Sequence, residues 1–215
     1  MNISIRNEEP RDYRKVEEVA REAFWNLYFP GCVEHFTIHN LRKSDAFLPE
    51  LTFVIEVDGE IVGSIFYSQS KIVSENGVGY DTISFGPVSI LPSMHRKGLG
   101  RKLISYSIEI AKSLGYRAIL TLGYPYHYEP YGFVGGKKYR ISMSDGKFYK
   151  GLLVLPLYDG ALDNISGHAV FAEALESEPS KEELDSFDKT FPFKEKMIQD
   201  SQKEFADAVG LLDEF

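Results

Sequence analysis

Apolar residues recur along this chain with two distinct periods, and each change of period marks an element boundary. Asn2 to Arg6 alternates polar and apolar positions, as a short strand does. Between Glu8 and Leu27 the period becomes helical. Tyr13, Val16, Val19, Ala20, Ala23 and Phe24 share one face, and Pro10 stands near the start, where a missing amide is harmless. Pro30-Gly31 ends that helix, and Val33 to Leu41 predicts a shorter second one. Alternation then returns. Leu51 to Val57 and Glu60 to Ser68 are β-rich runs joined by Asp58-Gly59, a pair suited to a two-residue hairpin whose turn positions both need positive φ. Asn76-Gly77 repeats the signal before Tyr80 to Leu91, completing an antiparallel meander of three strands. Gly86-Pro87 interrupts the third strand. Proline donates no ladder hydrogen bond, so a bulge or a parting from the neighbouring strand is expected there.

Pro92 ends that strand, and Gly100, Leu103, Ile104, Ser107, Ile108, Ala111 and Leu114 line one face of a long helix, with Gly115 at its C′ position. Tyr116 to Leu122 is a buried-looking strand, so strand, helix and strand make a parallel crossover. Pro125 to Tyr131 can form one or two helical turns, and Gly151 to Leu157 is a further strand. From Ser180 onward Leu184, Phe187, Phe191, Met197, Ile198, Phe205, Val209 and Leu212 predict one or two amphipathic helices. Their apolar spacing implies burial against the body or against a second copy of the chain; a homodimer is the expected state. The order divides the chain into a body, 1–170, and a helical extension, 171–215.

Composition changes this picture in two places. With 13 Tyr, 15 Phe and 43% hydrophobic residues the chain can build a packed core, which excludes a disordered protein. Cys32 is the only cysteine, which excludes a disulfide scaffold. No run approaches the roughly 20 apolar residues of a membrane helix, and no apolar signal core opens the chain. No membrane association and a cytoplasmic location are therefore expected. The net charge of −8 is uneven: 13 acidic and five basic residues lie from Glu173 onward, whereas 19 of each precede it. A neutral body with an acidic tail argues against a nucleic-acid partner, which needs a phosphate-neutralising surface.

Within the neutral body, Arg96, Lys97, Arg101 and Lys102 crowd into the stretch 89–103, SILPSMHRKGLGRKL. A strand ends here and a Gly-x-Gly opens a helix. Glycine permits close backbone approach, and the first helical amides have no partner within the helix, so the turn suits a phosphate or pyrophosphate. It lacks the Lys-Ser/Thr of a P-loop, and the third glycine of a dinucleotide fingerprint is replaced by Leu103. A helix start with solvated basic residues is the plainer alternative for a bare Gly-x-Gly. His35 and His39, spaced i, i+4, lack a third ligand of recognisable spacing; they are expected at the surface, with no metal.

The order of elements, with His95-Arg96-Lys97-Gly98-Leu99-Gly100 at the turn, resembles the GCN5-related N-acetyltransferase family. That family's pattern is Arg/Gln-x-x-Gly-x-Gly/Ala, from which His95 departs. Residues 122–134 are similar to the family segment that carries a tyrosine five residues before the Phe of a Gly-Phe pair, a position Tyr128 occupies relative to Phe133. The stretch 157–167 resembles a piece recurring in one bacterial subgroup of predicted acetyltransferases. The likeness spans about 3–170 and is most specific over 82–133; the tail lies outside it.

The resemblance implies an α/β (α+β) fold with a mixed, mostly antiparallel central sheet flanked by helices and carrying a C-terminal helical extension. It implies acetyl-CoA as cosubstrate and a small-molecule or peptide amine as acceptor. The pantetheine arm would pair with main-chain groups at Val88, Ser89 and Ile90, and the pyrophosphate would sit on the amides from His95, Arg96, Lys97, Gly98, Leu99 and Gly100 to Arg101. Tyr128 would protonate the departing thiolate, and a main-chain N–H near Val88 would meet the developing oxyanion. Asp81, before the central strand, and Glu56 are candidate bases for an amine that must lose its proton before attack; a solvated carboxylate is the plainer reading of each. A non-catalytic acyl-CoA sensor on the same fold stays open.

Overall fold

Among the described residues nine strands form one sheet in the order β1-β2-β3-β4-β5-β8-β6, with β9 joining β3 and β7 at its edge. The structure is a computed structural model that describes residues 1–177 and 179–214. Strands β1 (Ile3–Asn7), β2 (Phe53–Val57), β3 (Glu60–Val73) and β4 (Gly79–Ile90) are antiparallel in succession. The β2–β3 turn is made as the sequence predicts, with Asp58 at φ 51° and Gly59 at φ 88°. The next connection differs. Strand β3 runs on to Val73 because Gln69 and Lys71 stay exposed while Ser70 and Ile72 stay buried, and only Gly77 of the Asn76-Gly77 pair has positive φ.

The predicted crossover is present: β4 pairs in parallel with β5 (Ala118–Leu122). Helices α1 (Tyr13–Phe24) and α2 (Glu34–Leu41) cover one sheet face, and α3 (Leu99–Ser113) covers the other through Leu99, Leu103, Ile104, Ile108 and Ala111. Each of these leucine and isoleucine side chains contributes roughly 1.5–3 kcal/mol on burial. Helix α3 ends as its glycine predicts: Gly115 takes φ 80°, its amide reaches Lys112 O, and the Tyr116 amide reaches Ala111 O. The first helix is shorter than predicted. A 3₁₀ turn at Pro10–Asp12 precedes it, and it stops at Phe24, followed by Asn26 at φ 61°.

Beyond β5, α4 (Pro125–Tyr128) leads to β6 (Val134–Gly135), β7 (Ile141–Ser142), β8 (Leu152–Pro156) and β9 (Gly167–Val170). β8 was legible as a strand; β6, β7 and β9 were not. The remaining helices are α5 (Glu173–Glu176), α6 (Lys181–Asp188) and α7 (Asp200–Val209). Phe187 and Phe191 cover His35 at ring-centroid distances of 5.4 and 5.2 Å, and Phe205 stacks on Tyr28 at 4.1 Å. Asp188 pairs with the buried Arg21 at 2.7 Å. His35 is therefore fully buried, not a surface histidine: the extension from the far end of the chain roofs it. The extension continues past α7 to the sheet edge, where Asp213 N donates to Phe148 O. Its apolar residues are not all packed, since Phe193 and Ile198 stay exposed.

Trp25, the only tryptophan, lies under this extension and donates from its indole N–H to Glu195 O at 2.9 Å. Asp188→Asn keeps the size of the side chain and removes the charge facing Arg21. It is expected to lower stability by about 2 kcal/mol, the scale of a charged hydrogen bond, and to make Trp25 fluorescence more readily quenched by acrylamide. Unchanged quenching would contradict this docking.

Candidate active site

Strand β4 keeps its partner on one side and loses it on the other. Its pairing with β5 is confined to Ile83↔Ile119 and Ser84↔Leu120, with Thr121 Oγ1 donating to Phe85 O at 3.2 Å where the two strands part. At the same place the β3–β4 register shifts between Ile65 and Tyr67, opposite Gly86-Pro87, and Gly86 adopts φ 150°. Both the bulge and the parting expected from Gly86-Pro87 are therefore present.

Past the bulge, Ile65 faces Val88, Ser64 faces Ser89 and Gly63 faces Ile90. The Leu91 amide donates to Val62 O at 2.8 Å. Antiparallel pairs alternate between bonded and non-bonded positions, so Val88 and Ile90 direct their main-chain groups away from β3, into the opening left by β5. Ser89 faces the other way, and its hydroxyl meets Ser64 Oγ at 2.9 Å. His95 Nε2 lies 2.8 Å from Ile90 O. The histidine that departs from the family pattern thus ties the turn to the strand end.

The turn lies beside that opening. Arg96 takes φ 60° and Gly98 φ 77°, and Gly98 is the N-cap of α3 without a side-chain cap. The first intrahelical bond from the cap runs from Lys102 N to Gly98 O, which leaves the amides of Leu99, Gly100 and Arg101 without helical partners. Among the described residues, Arg96, Lys97, Arg101 and Lys102 make no ion pair with a carboxylate. Their charge adds to the positive end of the helix dipole. The two glycines have different reasons to be there. Gly98 is required by its positive φ. At Gly100 a Cβ would meet only Ile90 Cγ1, at 3.7 Å. Packing leaves room for alanine, so a need for close approach from outside is what remains to explain the glycine.

Tyr128, on α4, packs its ring between Phe85 (5.4 Å) and Phe133 (5.8 Å), and burial pushes its hydroxyl up to about 12. Among the described residues nothing hydrogen-bonds that hydroxyl. Gly123 makes space for the ring: a Cβ there would stand 2.5 Å from Tyr128 Cε2. His127 is exposed beside Tyr126, at 4.3 Å between rings. Asp81 does not join this group. It stands near the start of β4, five residues before the bulge, 89% exposed and 3.7 Å from Lys71. Glu56 is held by Arg6 at 2.7 Å and by the Ser4 hydroxyl, a structural pairing.

Two titratable residues of the helical layer, Tyr28 and Glu34, were not singled out from the sequence. Tyr28, after α1, has its hydroxyl raised by burial and by the charge of Glu34, and it also feels Tyr128, Tyr124 and Tyr126. Burial drives the Glu34 carboxyl up to about 7; its oxygen accepts from the Val33 amide at 3.0 Å. Cys32 Sγ lies 3.3 Å from His35 Nδ1, but burial raises the thiol and lowers the histidine, so the pair holds no thiolate. His35 Nε2 is 3.3 Å from Asp188 without alignment for a hydrogen bond. No group of three or more His, Cys, Asp or Glu among the described residues is arranged to hold a metal, and no helix there is long and apolar enough to cross a membrane.

Comparison with known proteins agrees with this geometry. A family profile described as the Acetyltransferase (GNAT) family matches residues 17–128. The uncharacterized N-acetyltransferase YhbS of Escherichia coli (strain K12) is 24% identical over 169 residues, covering 79% of this chain and 96% of YhbS. A crystal structure of YhbS from Escherichia coli in complex with CoA superposes with a TM-score of 0.73 at 22% identity, over 83% of this chain and 94% of that one. A GNAT family acetyltransferase from Brucella melitensis, in complex with acetyl-CoA, gives 0.65 at 25% identity over 81% and 98%. With the mostly antiparallel sheet, the parted β4–β5 pair and the glycine turn all in place, the chain belongs to the GNAT family of acetyltransferases.

Proposed function

We propose that this protein transfers the acetyl group of acetyl-CoA to a primary amine. The observation that carries the reading is the parted β4–β5 pair, where Val88 turns its main-chain groups, and Ile90 its amide, toward an opening that ends at the free amides of α3, the Ile90 carbonyl being met by His95. The opening suits an arm of alternating amides, because a strand edge binds such a chain as it would bind another strand. The amides of Leu99, Gly100 and Arg101 suit a diphosphate, helped by Arg96 and Lys97. CoA and acetyl-CoA are held by the two related structures.

The chain's own groups then have distinct tasks. The Val88 amide offers a fixed donor to the thioester oxygen as charge develops on it. Tyr128 stays protonated throughout the neutral range and offers its hydroxyl to the departing sulfur. A tyrosine raised to about 12 is a weak acid for a thiolate near 8.5, so its worth lies in position, as a hydrogen-bond donor already in place. Asp81 and Glu56 are not assigned the role of base, since one is solvent-exposed and the other is engaged by Arg6. Residues 171–215 act as an extension to the catalytic body, 1–170.

Release of free CoA in the presence of an amine panel tests this reading. Gly123→Ala gives a finer check. Its Cβ would displace the Tyr128 ring without altering the phenol, so turnover is expected to fall about tenfold, within the 1–3 kcal/mol typical of overpacking, with coenzyme affinity unchanged. Equal loss of affinity and turnover would count against the assigned role of Tyr128.

A further inference from the structure

The roof over His35 is built for a neutral ring. His35 is fully buried, and Phe187 and Phe191 of the extension close on its imidazole at 5.4 and 5.2 Å, one tilted and one edge-on. Among the described residues its Nε2 is a buried side-chain nitrogen without a hydrogen-bond partner. That nitrogen faces Asp188 at 3.3 Å, but the carboxylate is already taken. Arg21 donates to it from Nε at 2.7 Å and from Nη2 at 3.2 Å. Nδ1 meets the Cys32 thiol at 3.3 Å.

The charges on the elements packed around the ring leave no carboxylate for another cation. Helix α1 contributes Arg21 and also Arg14, whose guanidinium lies 3.5 Å from the centre of the Phe191 ring. The acidic partner of Arg14 is Glu18, 3.5 Å away at the surface. On α2, His39 stands under Phe187 at 4.5 Å and turns to Glu17, which Arg42 also binds. Glu34, beside His35 in sequence, is raised to about 7 by burial and so is largely uncharged in mild acid. In the extension, Asp185 is spent on Lys196 at 3.1 Å. Two arginines thus stand against one carboxylate, Asp188. A proton on His35 would add a third cation inside aromatic walls. Desolvation outweighs the pull of Asp188 there, and the proton affinity of the ring falls to about 4.

We propose that His35 is an acid-operated latch for the extension: protonating its ring drives Phe187 and Phe191 off α2 and opens residues 181–196, while the sheet stays folded. The latch is separate from the chemistry at Tyr128. Its sign follows from the depressed affinity of the docked ring. Docking is fully supported above the free histidine value, about 6.5, and loses that support as pH falls toward about 4. A ring paired productively with Asp188 would have the opposite sign, with docking tightened by acid.

Cys32, the only cysteine, can report the opening. It is buried beside His35, and the Lys196 side chain closes over neighbouring Gly31, where an added Cβ would lie 3.2 Å from Lys196 Cε. The full-length protein is treated with 4,4′-dithiodipyridine, which stays reactive toward thiols in acid. Its rate is divided by that of the urea-unfolded chain at the same pH, and the ratio measures opening. The ratio should level off above pH 7 and rise about 20-fold from pH 7 to pH 5. Trp25 emission should become more readily quenched in step, with far-ultraviolet circular dichroism unchanged. His35→Phe should abolish the rise. Asp188→Asn should react faster at every pH and keep the rise, because the ring and not the carboxylate takes the proton; this variant carries the test if His35→Phe does not fold. A wild-type ratio that stays flat or falls in acid would overturn the latch. So would a rise that survives in His35→Phe, a rise lost in Asp188→Asn, or dichroism lost along with the rise.

Discussion

Gly100→Ala is expected to make the protein more stable and its grip on acetyl-CoA about 100-fold weaker. Gly100 is the second residue of α3, where alanine is favoured over glycine by about 0.5–1 kcal/mol. The added methyl meets Ile90 Cγ1 at 3.7 Å, an ordinary contact. Nothing in the fold resists the change, so the melting temperature should rise by a few degrees, roughly as such a gain implies. The methyl also stands beside the free amides of the helix. A diphosphate pushed back from two of them forfeits charged hydrogen bonds worth about 1.5–3 kcal/mol each, and part of that loss is already a factor of 10–100 in affinity. Calorimetric titration and a thermal melt on the same variant check both halves. A glycine kept for folding would show the reverse, with lower stability and unchanged affinity. Gly98 cannot serve this purpose, because its φ of 77° makes any substitution there strained.

Tyr128→Phe is expected to lower kcat about 100-fold with little change in acetyl-CoA affinity, the lower range for loss of a positioned proton donor. The ring would keep its place between Phe85 and Phe133, so stability should move by less than about 1 kcal/mol. The hydroxyl ionises only near pH 12, and the wild-type rate should therefore show no alkaline fall through the usual assay range. Steady-state release of CoA, followed with a thiol reagent, separates the outcomes. A variant with wild-type kcat would reduce Tyr128 to a packing residue.

The sequence carried the parts of this fold that local chemistry determines. Asp58-Gly59 could make only a tight hairpin, Gly115 had the freedom a helix C′ position needs, and the apolar stripe of α3 faces the sheet as its spacing requires. Gly86-Pro87 announced the parting of β4 before any neighbour was known. What stayed hidden depends on distant segments. Strands β7 and β9 are two and four residues long and hold their conformation only through each other and β3. His35 looks like a surface residue of a short helix until Phe187 and Phe191 arrive from the extension. Asp81 and Tyr128 are both polar groups near the central strand, and alternation along β4 does not say which end bears the opening.

The account depends on where the coenzyme lies. A crystal structure of the protein with CoA tests this directly. The diphosphate should lie within hydrogen-bond distance, about 3 Å, of the amides of Leu99, Gly100 and Arg101, with the pantetheine arm paired to Val88 and Ile90 and its sulfur turned toward Tyr128. Coenzyme bound on another face, or a diphosphate held only by lysine and arginine side chains away from this turn, would contradict the account.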